Sequence, residues 1–320
     1  MHHAKGGDTK VTVVGAGNVG SNTARRIAEK DLTHEVVMID IVEGLPQGLA
    51  LDINQSAPVE RFSAHVTGTN DYADTANSDV CVITAGLPRK PGMSRMDLLD
   101  KNSEIVGGVT KQLLEHSPAT ILVVVSNPLD EMTYLAALVS ELPKEKVFGM
   151  AGVLDSSRLR YFIAATLEVS PYEVEAMTLG SHGDQMVALP RHATVQGKSL
   201  PELVDESTLQ ELFQRTKDGG AEIVGFLKKG SAFYAPSSSA VAMVKSIMAD
   251  DGEVHPTCAW TTGQYGVDGV YLGVPAKLGK GGVTEIIELD LNDDEKGQLT
   301  EAAEAIRAKC EELSARQGVS

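Results

Sequence analysis

Short apolar runs alternate with longer amphipathic stretches through the first 150 residues. The runs at residues 11–14, 35–39, 65–68, 80–84, 120–125 and 146–149 are rich in valine and isoleucine, which predicts strands. Between several of them, residues 19–30, 96–116 and 130–140 carry apolar side chains at helical spacing. Short strands joined by helices predict a parallel sheet covered on both faces, and right-handed crossovers make it doubly wound. Beyond residue 150 the rhythm changes. Helices are predicted at 153–167, 206–229, 237–250 and 293–315, the last with an acidic first turn. Strand-like runs fall at 172–179, 191–195, 254–261, 269–272 and 283–288. This mixture predicts an α+β domain with antiparallel strands. The expected division is 8–151 and 152–320, with a cleft between two closely packed domains.

One turn in the first half carries chemistry. Gly15-Ala16-Gly17-Asn18-Val19-Gly20 follows the first strand and opens the first helix, and Asp40 ends the second strand twenty residues later. Strand, glycine turn, helix, second strand and terminal acid form the dinucleotide-binding pattern of a Rossmann sheet. Gly15 permits the tight turn, Gly17 lets the backbone approach a pyrophosphate, and Gly20 lets helix and strand pack closely. The helix N-terminus offers free N–H groups and the positive end of its dipole. An acid at position 40 can accept hydrogen bonds from both ribose hydroxyls of NAD and would repel the additional phosphate of NADP. A solvated strand end is the plainer reading of the same acid.

Composition narrows the partners. The chain has 320 residues and a formal net charge of −16, which argues against nucleic acid and anionic membranes. No apolar run approaches the ~20 residues of a membrane span. The first residues, Met1-His2-His3-Ala4-Lys5-Gly6-Gly7, are polar and unlike a signal peptide. Three separated cysteines, Cys81, Cys258 and Cys310, suit a reducing cytoplasm and argue against a zinc site. If the ligands are anions, the summed field repels them, so the positions of the 11 arginines matter.

Four further clusters sit where ligands meet such a sheet. Residues 85–95 follow the fourth strand, contain Arg89, Lys90 and Arg95, and read as a basic lid over an anion or as a solvated loop. Asn127 precedes Pro128 directly after a strand, where its amide can face nicotinamide ribose or substrate, or merely begin a turn. Asp155 and Arg158 are three apart on one helix face; as an exposed pair they contribute roughly 0.3–0.5 kcal/mol. His182 lies in Gly180-Ser181-His182-Gly183-Asp184, where flanking glycines expose the imidazole. Taken alone, such a histidine is as readily a surface or packed side chain.

In this order the motifs resemble the lactate and malate dehydrogenase superfamily, from Lys10 to about Leu313. Within it the chain is similar to malate dehydrogenases of lactate-dehydrogenase-like type, because Arg89 stands where lactate dehydrogenases carry glutamine. The resemblance implies NAD as cofactor, bound by Gly15, Gly17, Asn18, Val19, Gly20, Asp40, Asn102 and Asn127, and no metal. It implies His182 as acid–base residue, held by Asp155. Arg158 then clasps the first carboxylate of malate or oxaloacetate, Arg95 polarises the carbonyl, Arg89 pairs with the second carboxylate, and Asn127 contacts the substrate. Ser231 falls in a stretch, residues 230–236, that lines the substrate pocket in relatives. The resemblance also implies a homodimer or homotetramer, with residues 130–140 and 237–250 as candidate interface helices. A dehydrogenase of another 2-hydroxy acid such as lactate, and a non-enzymatic NAD-binding sensor, stay open as alternatives.

Overall fold

The computed structural model describes residues 9–87 and 95–317. Its first half contains strands β1 (Lys10–Val14), β2 (Glu35–Ile39), β3 (His65–Thr69), β4 (Val80–Ile83), β5 (Ile121–Val124) and β6 (Val147–Gly149). They pair in parallel in the order β3-β2-β1-β4-β5-β6. The order reverses between β1 and β4, which opens a crevice at their carboxyl ends. Helices α1 (Asn18–Glu29), α2 (Leu45–Glu60), α3 (Arg95–His116) and α4 (Leu129–Ser140) accompany them.

Side-chain alternation along the strands explains why both faces need helices. Val80, Val82, Ile121 and Val123 enter one core, with Ala24 and Ile27 of α1. Cys81, Ile83, Leu122 and Val124 enter the other, with Val106 and Leu113 of α3 and Met132 and Ala136 of α4. Successive residues point to opposite faces, so an uninterrupted apolar strand is buried on both.

The second half contains α5 (Gly152–Leu167), β7 (Val174–Glu175), β8 (Thr178–Gly180), β9 (Met186–Ala188), β10 (Thr194–Val195), β11 (Lys198–Ser199), α6 (Glu206–Leu227) and α7 (Tyr234–Ala249). It ends with β12 (Val254–Thr262), β13 (Asp268–Gly279), β14 (Gly282–Ile286) and α8 (Asp293–Gln317). Its strands pair antiparallel.

The halves are more tightly joined than the sequence suggests. Cys258 of β12 pairs antiparallel with Gly149 of β6, and the sheet continues through β12, β13, β8 and β9. Helix α7 of the second half packs beside α1, placing Val241, Val244 and Ile247 in the core of the first. The two candidate interface helices are therefore largely used inside the chain: α4 buries Leu129, Met132, Leu135 and Ala136, and α7 buries Ala240, Met243 and Val244.

Helix α2 is absent from the predicted elements because it contains Pro46, Gly48 and Pro58 and exposes Leu51 and Val59. Pro46 is tolerated in the first turn, where the missing N–H has no helical partner. The run 191–195 also differs from its expected strand: Pro190–His192 is a 3-10 turn, and only Thr194–Val195 pairs.

Candidate active site

The glycine turn is built at the tip of β1. Gly15 has φ +100°, a conformation that favours a residue without a β-carbon. A β-carbon at Gly20 would lie 1.7 Å from the Gly15 carbonyl oxygen, so α1 starts against the turn only because Gly20 lacks one. Among the described residues no side chain caps α1 at Gly17, which leaves the first N–H groups of the helix for a ligand. No described residue would crowd a β-carbon at Gly17, and Asn18 and Val19 form the first helical residues. Asp40 follows β2; its Oδ2 accepts the Ala16 N–H at 2.6 Å and its Oδ1 the Val42 N–H at 2.9 Å. The carboxylate thus braces the glycine turn while each oxygen keeps a further lone pair for a hydroxyl.

A cavity of about 360 Å³ lies between the halves, lined by Val19, Asn127, Asp155, Arg158, His182 and Lys217 among others. Asp155 and Arg158 come from α5, and His182 from the turn after β8. The Asp155 side chain is 2 % exposed and links both partners: Oδ2 meets His182 Nδ1 at 2.8 Å, and Oδ1 accepts from Arg158 at 3.4 Å. This is not the exposed pair of the plainer reading. Arg158 Nε finds no hydrogen-bond partner among the described residues, so its fork keeps donors for an anion. Burial lowers the Arg158 pKa against the opposing charge of Asp155, yet a guanidinium stays charged. Burial also pulls the His182 pKa down, but the charge and hydrogen bond of Asp155 outweigh it, with help from Asp130, and the imidazole rests above its ordinary value. With Nδ1 held by a carboxylate, Nε2 is left to exchange a proton.

Arg89 lies outside the described residues, as does the side chain of Arg95, whose backbone opens α3. Asn102 lies on α3. It is 1 % exposed, accepts the Leu87 N–H at 2.8 Å, and donates to the carbonyls of Leu87 and Asn127 at 3.2 and 2.6 Å. This buried amide braces Asn127 and residue 87. Asn127 itself lines the cavity, and its bond to Pro128 is cis. Ser231 also lines the cavity. Lys217 and Val224 of α6 line it too, although nothing in the amphipathic pattern of that helix marks them out.

Residues 9–149 match the family profile for the NAD binding domain of lactate/malate dehydrogenase, and residues 152–317 match its alpha/beta C-terminal domain. The chain belongs to the lactate/malate dehydrogenase family. A malate dehydrogenase of Salinibacter ruber is 52 % identical over 304 residues, covering 95 % of this chain and 96 % of that protein. The solved structure of a Salinibacter ruber malate dehydrogenase superposes with TM-score 0.93 at 49 % identity, over 97 % of this chain and 99 % of the other. A Cryptosporidium parvum lactate dehydrogenase solved with lactic acid and the dinucleotide gives TM-score 0.92 at 38 % identity, over 96 % and 98 %. Both activities thus occur on this fold, and family membership leaves the choice of substrate to individual side chains.

Proposed function

We propose that this chain is an NAD-dependent malate dehydrogenase that interconverts malate and oxaloacetate. The observation that carries this reading is the buried chain Arg158–Asp155–His182, opening into one cavity beside the glycine turn. The glycine turn, the uncapped start of α1 and Asp40 fit the pyrophosphate and adenosine ribose of NAD. When bound, NAD supplies the acceptor for the hydride that leaves C2 of malate.

The remaining steps belong to this chain's residues. His182 takes the malate hydroxyl proton at Nε2 as the carbonyl forms, and returns it in the opposite direction. Asp155 fixes the ring through Nδ1 and stabilises the imidazolium. Arg158 binds the C1 carboxylate with two parallel N–H donors, a geometry lysine lacks. Arg89 pairs with the C4 carboxylate and Arg95 polarises the carbonyl oxygen. Closing Arg89 over pyruvate, which has no second carboxylate, buries an unpaired charge at a cost of about 3–5 kcal/mol.

Residues 8–151 and 152–320 then serve as nucleotide and substrate domains, a division supported by the family matches at 9–149 and 152–317. A homodimer or homotetramer in the cytoplasm is part of it. Exposed Leu51 and Val59 on α2, with Ile41 before it, are the apolar side chains a second copy would cover. A light-scattering mass equal to one chain would oppose that assembly. Following NADH consumption with oxaloacetate tests the reaction: rapid turnover is expected, abolished in His182→Asn although NADH still binds. No turnover of the unaltered protein with oxaloacetate would refute the assignment.

A further inference from the structure

A second carboxylate lies behind His182. Asp130 is in the first turn of α4, three residues after Asn127, and only 4 % exposed. Its Oδ2 accepts the backbone N–H of His182 at 3.2 Å, and its Oδ1 accepts the Cys258 thiol at 3.4 Å. Cys258 is the residue that joins β12 to β6. Asp130 therefore ties together the start of α4, the seam of the sheet and the turn bearing His182. Asn127, on the same stretch of chain, lines the cavity.

We propose that Asp130 is a positioning residue for proton transfer, holding the His182 backbone in register with Asn127 and supporting the imidazolium by its charge. This rests on the malate dehydrogenase reading for the reaction, though not for the effect on the imidazole.

The electrostatics agree with the geometry. Desolvation first, and the neighbouring Glu131 second, push the Asp130 pKa up to about 6, against the opposing influence of His182 and the two hydrogen bonds. The titratable and charged groups around it are Glu131, whose carboxylate is 3.8 Å from Lys309, together with His182, Cys258 and Cys310. Both buried thiols are shifted up by burial and stay protonated at neutral pH, so Cys258 donates. His182 in turn faces Asp155, Asp130 and Arg158, and the two carboxylates act on it in the same direction. Asp155 is hydrogen-bonded to the ring nitrogen and Asp130 to the backbone N–H.

The test compares two variants of the full-length protein. Asp130→Asn keeps an acceptor for the His182 N–H and removes the charge; Asp130→Ala removes both. NMR titration of the His182 imidazole, assigned with His182→Asn, reads the effect without substrate. Asp130→Asn should lower that titration midpoint by about one unit. Its kcat for oxaloacetate reduction should fall at alkaline pH, with KM for NADH unchanged. Asp130→Ala should add a loss of about 10²-fold in kcat, the cost of a misplaced catalytic group, and Asp130→Asn should rescue most of it near pH 6. An unmoved His182 midpoint in Asp130→Asn, with only thermal stability altered, would reduce Asp130 to a structural residue and overturn the proposal. Because the titration needs no substrate, it stands apart from the assay that decides the malate reading.

Discussion

Replacing Asp155 by asparagine perturbs the site at its most buried ionic link. Asp155 uses both oxygens as acceptors, one for His182 Nδ1 at 2.8 Å and one for Arg158 at 3.4 Å. An amide has a single acceptor oxygen and a donor NH₂. If the oxygen serves His182, the NH₂ group confronts the Arg158 guanidinium; if it serves Arg158, His182 is forced into the wrong tautomer. Either arrangement leaves a cation without its counter-charge in a region where Asp155 is 2 % exposed. Breaking such a pair costs about 3–5 kcal/mol, equivalent to a fall of about 10²- to 10³·⁵-fold in kcat/KM for oxaloacetate. The pH dependence changes as well. Burial acts on His182 to lower its pKa and Asp155 opposes it, so in the variant the burial effect prevails. The inflection for oxaloacetate reduction, which needs the imidazolium, should move to lower pH. Steady-state NADH oxidation over a pH series measures both quantities, and NADH fluorescence titration confirms that cofactor binding persists. A kcat/KM within about threefold of the parent, with the inflection unmoved, would show that Asp155 is not the counter-charge of His182 and Arg158, because a loss that small is far below the cost of an unpaired buried cation.

Three further outcomes follow from individual side chains. Arg89→Gln should shift the kcat/KM ratio from oxaloacetate toward pyruvate by about 10²-fold or more, since no cation is then buried unpaired over pyruvate; an unchanged ratio would remove Arg89 as the selector. Asp40→Ser should raise activity with NADP by about tenfold or more, because like charges no longer meet. It should also weaken NAD binding, since the N–H groups of Ala16 and Val42 lose their carboxylate; NADP activity as low as before would contradict it. In the unaltered protein the raised His182 pKa keeps the imidazolium beyond its ordinary range. Oxaloacetate reduction should therefore hold past pH 6.5 and decline above, while malate oxidation rises through the same inflection. Inflections below pH 6.5 in both directions would be the contrary result.

The parallel strands were legible because buried strands are apolar on both faces, and β2 is bounded by residues 35 and 39 in sequence and structure alike. Helix α2 was not, since its prolines and exposed leucine and valine break the amphipathic spacing that burial on one face normally imposes. Nor was the β6–β12 seam: pairing between residues 149 and 258 leaves no local signature. In the cavity, the spacing of Asp155 and Arg158 gave their shared helix face, whereas their burial arises from elements far along the chain. Asp130 opens the predicted helix at 130–140, and nothing in the neighbouring sequence distinguishes it. What sets it apart is the approach of His182, 52 positions later, and of Cys258, 128 positions later. The bracing of Leu87 and Asn127 by Asn102 likewise has no local signature, since it joins residues 15 and 25 positions away.

The convergence of three arginines on one C4 diacid beside His182 is most directly tested by a crystal structure of the protein with NAD and an unreactive four-carbon dicarboxylate. One carboxylate is expected on Arg158, the other on Arg89, with Arg95 at the central oxygen and His182 Nε2 within hydrogen-bond distance of that oxygen. A diacid bound away from His182, or Arg89 and Arg95 turned to solvent with the ligand in place, would contradict it.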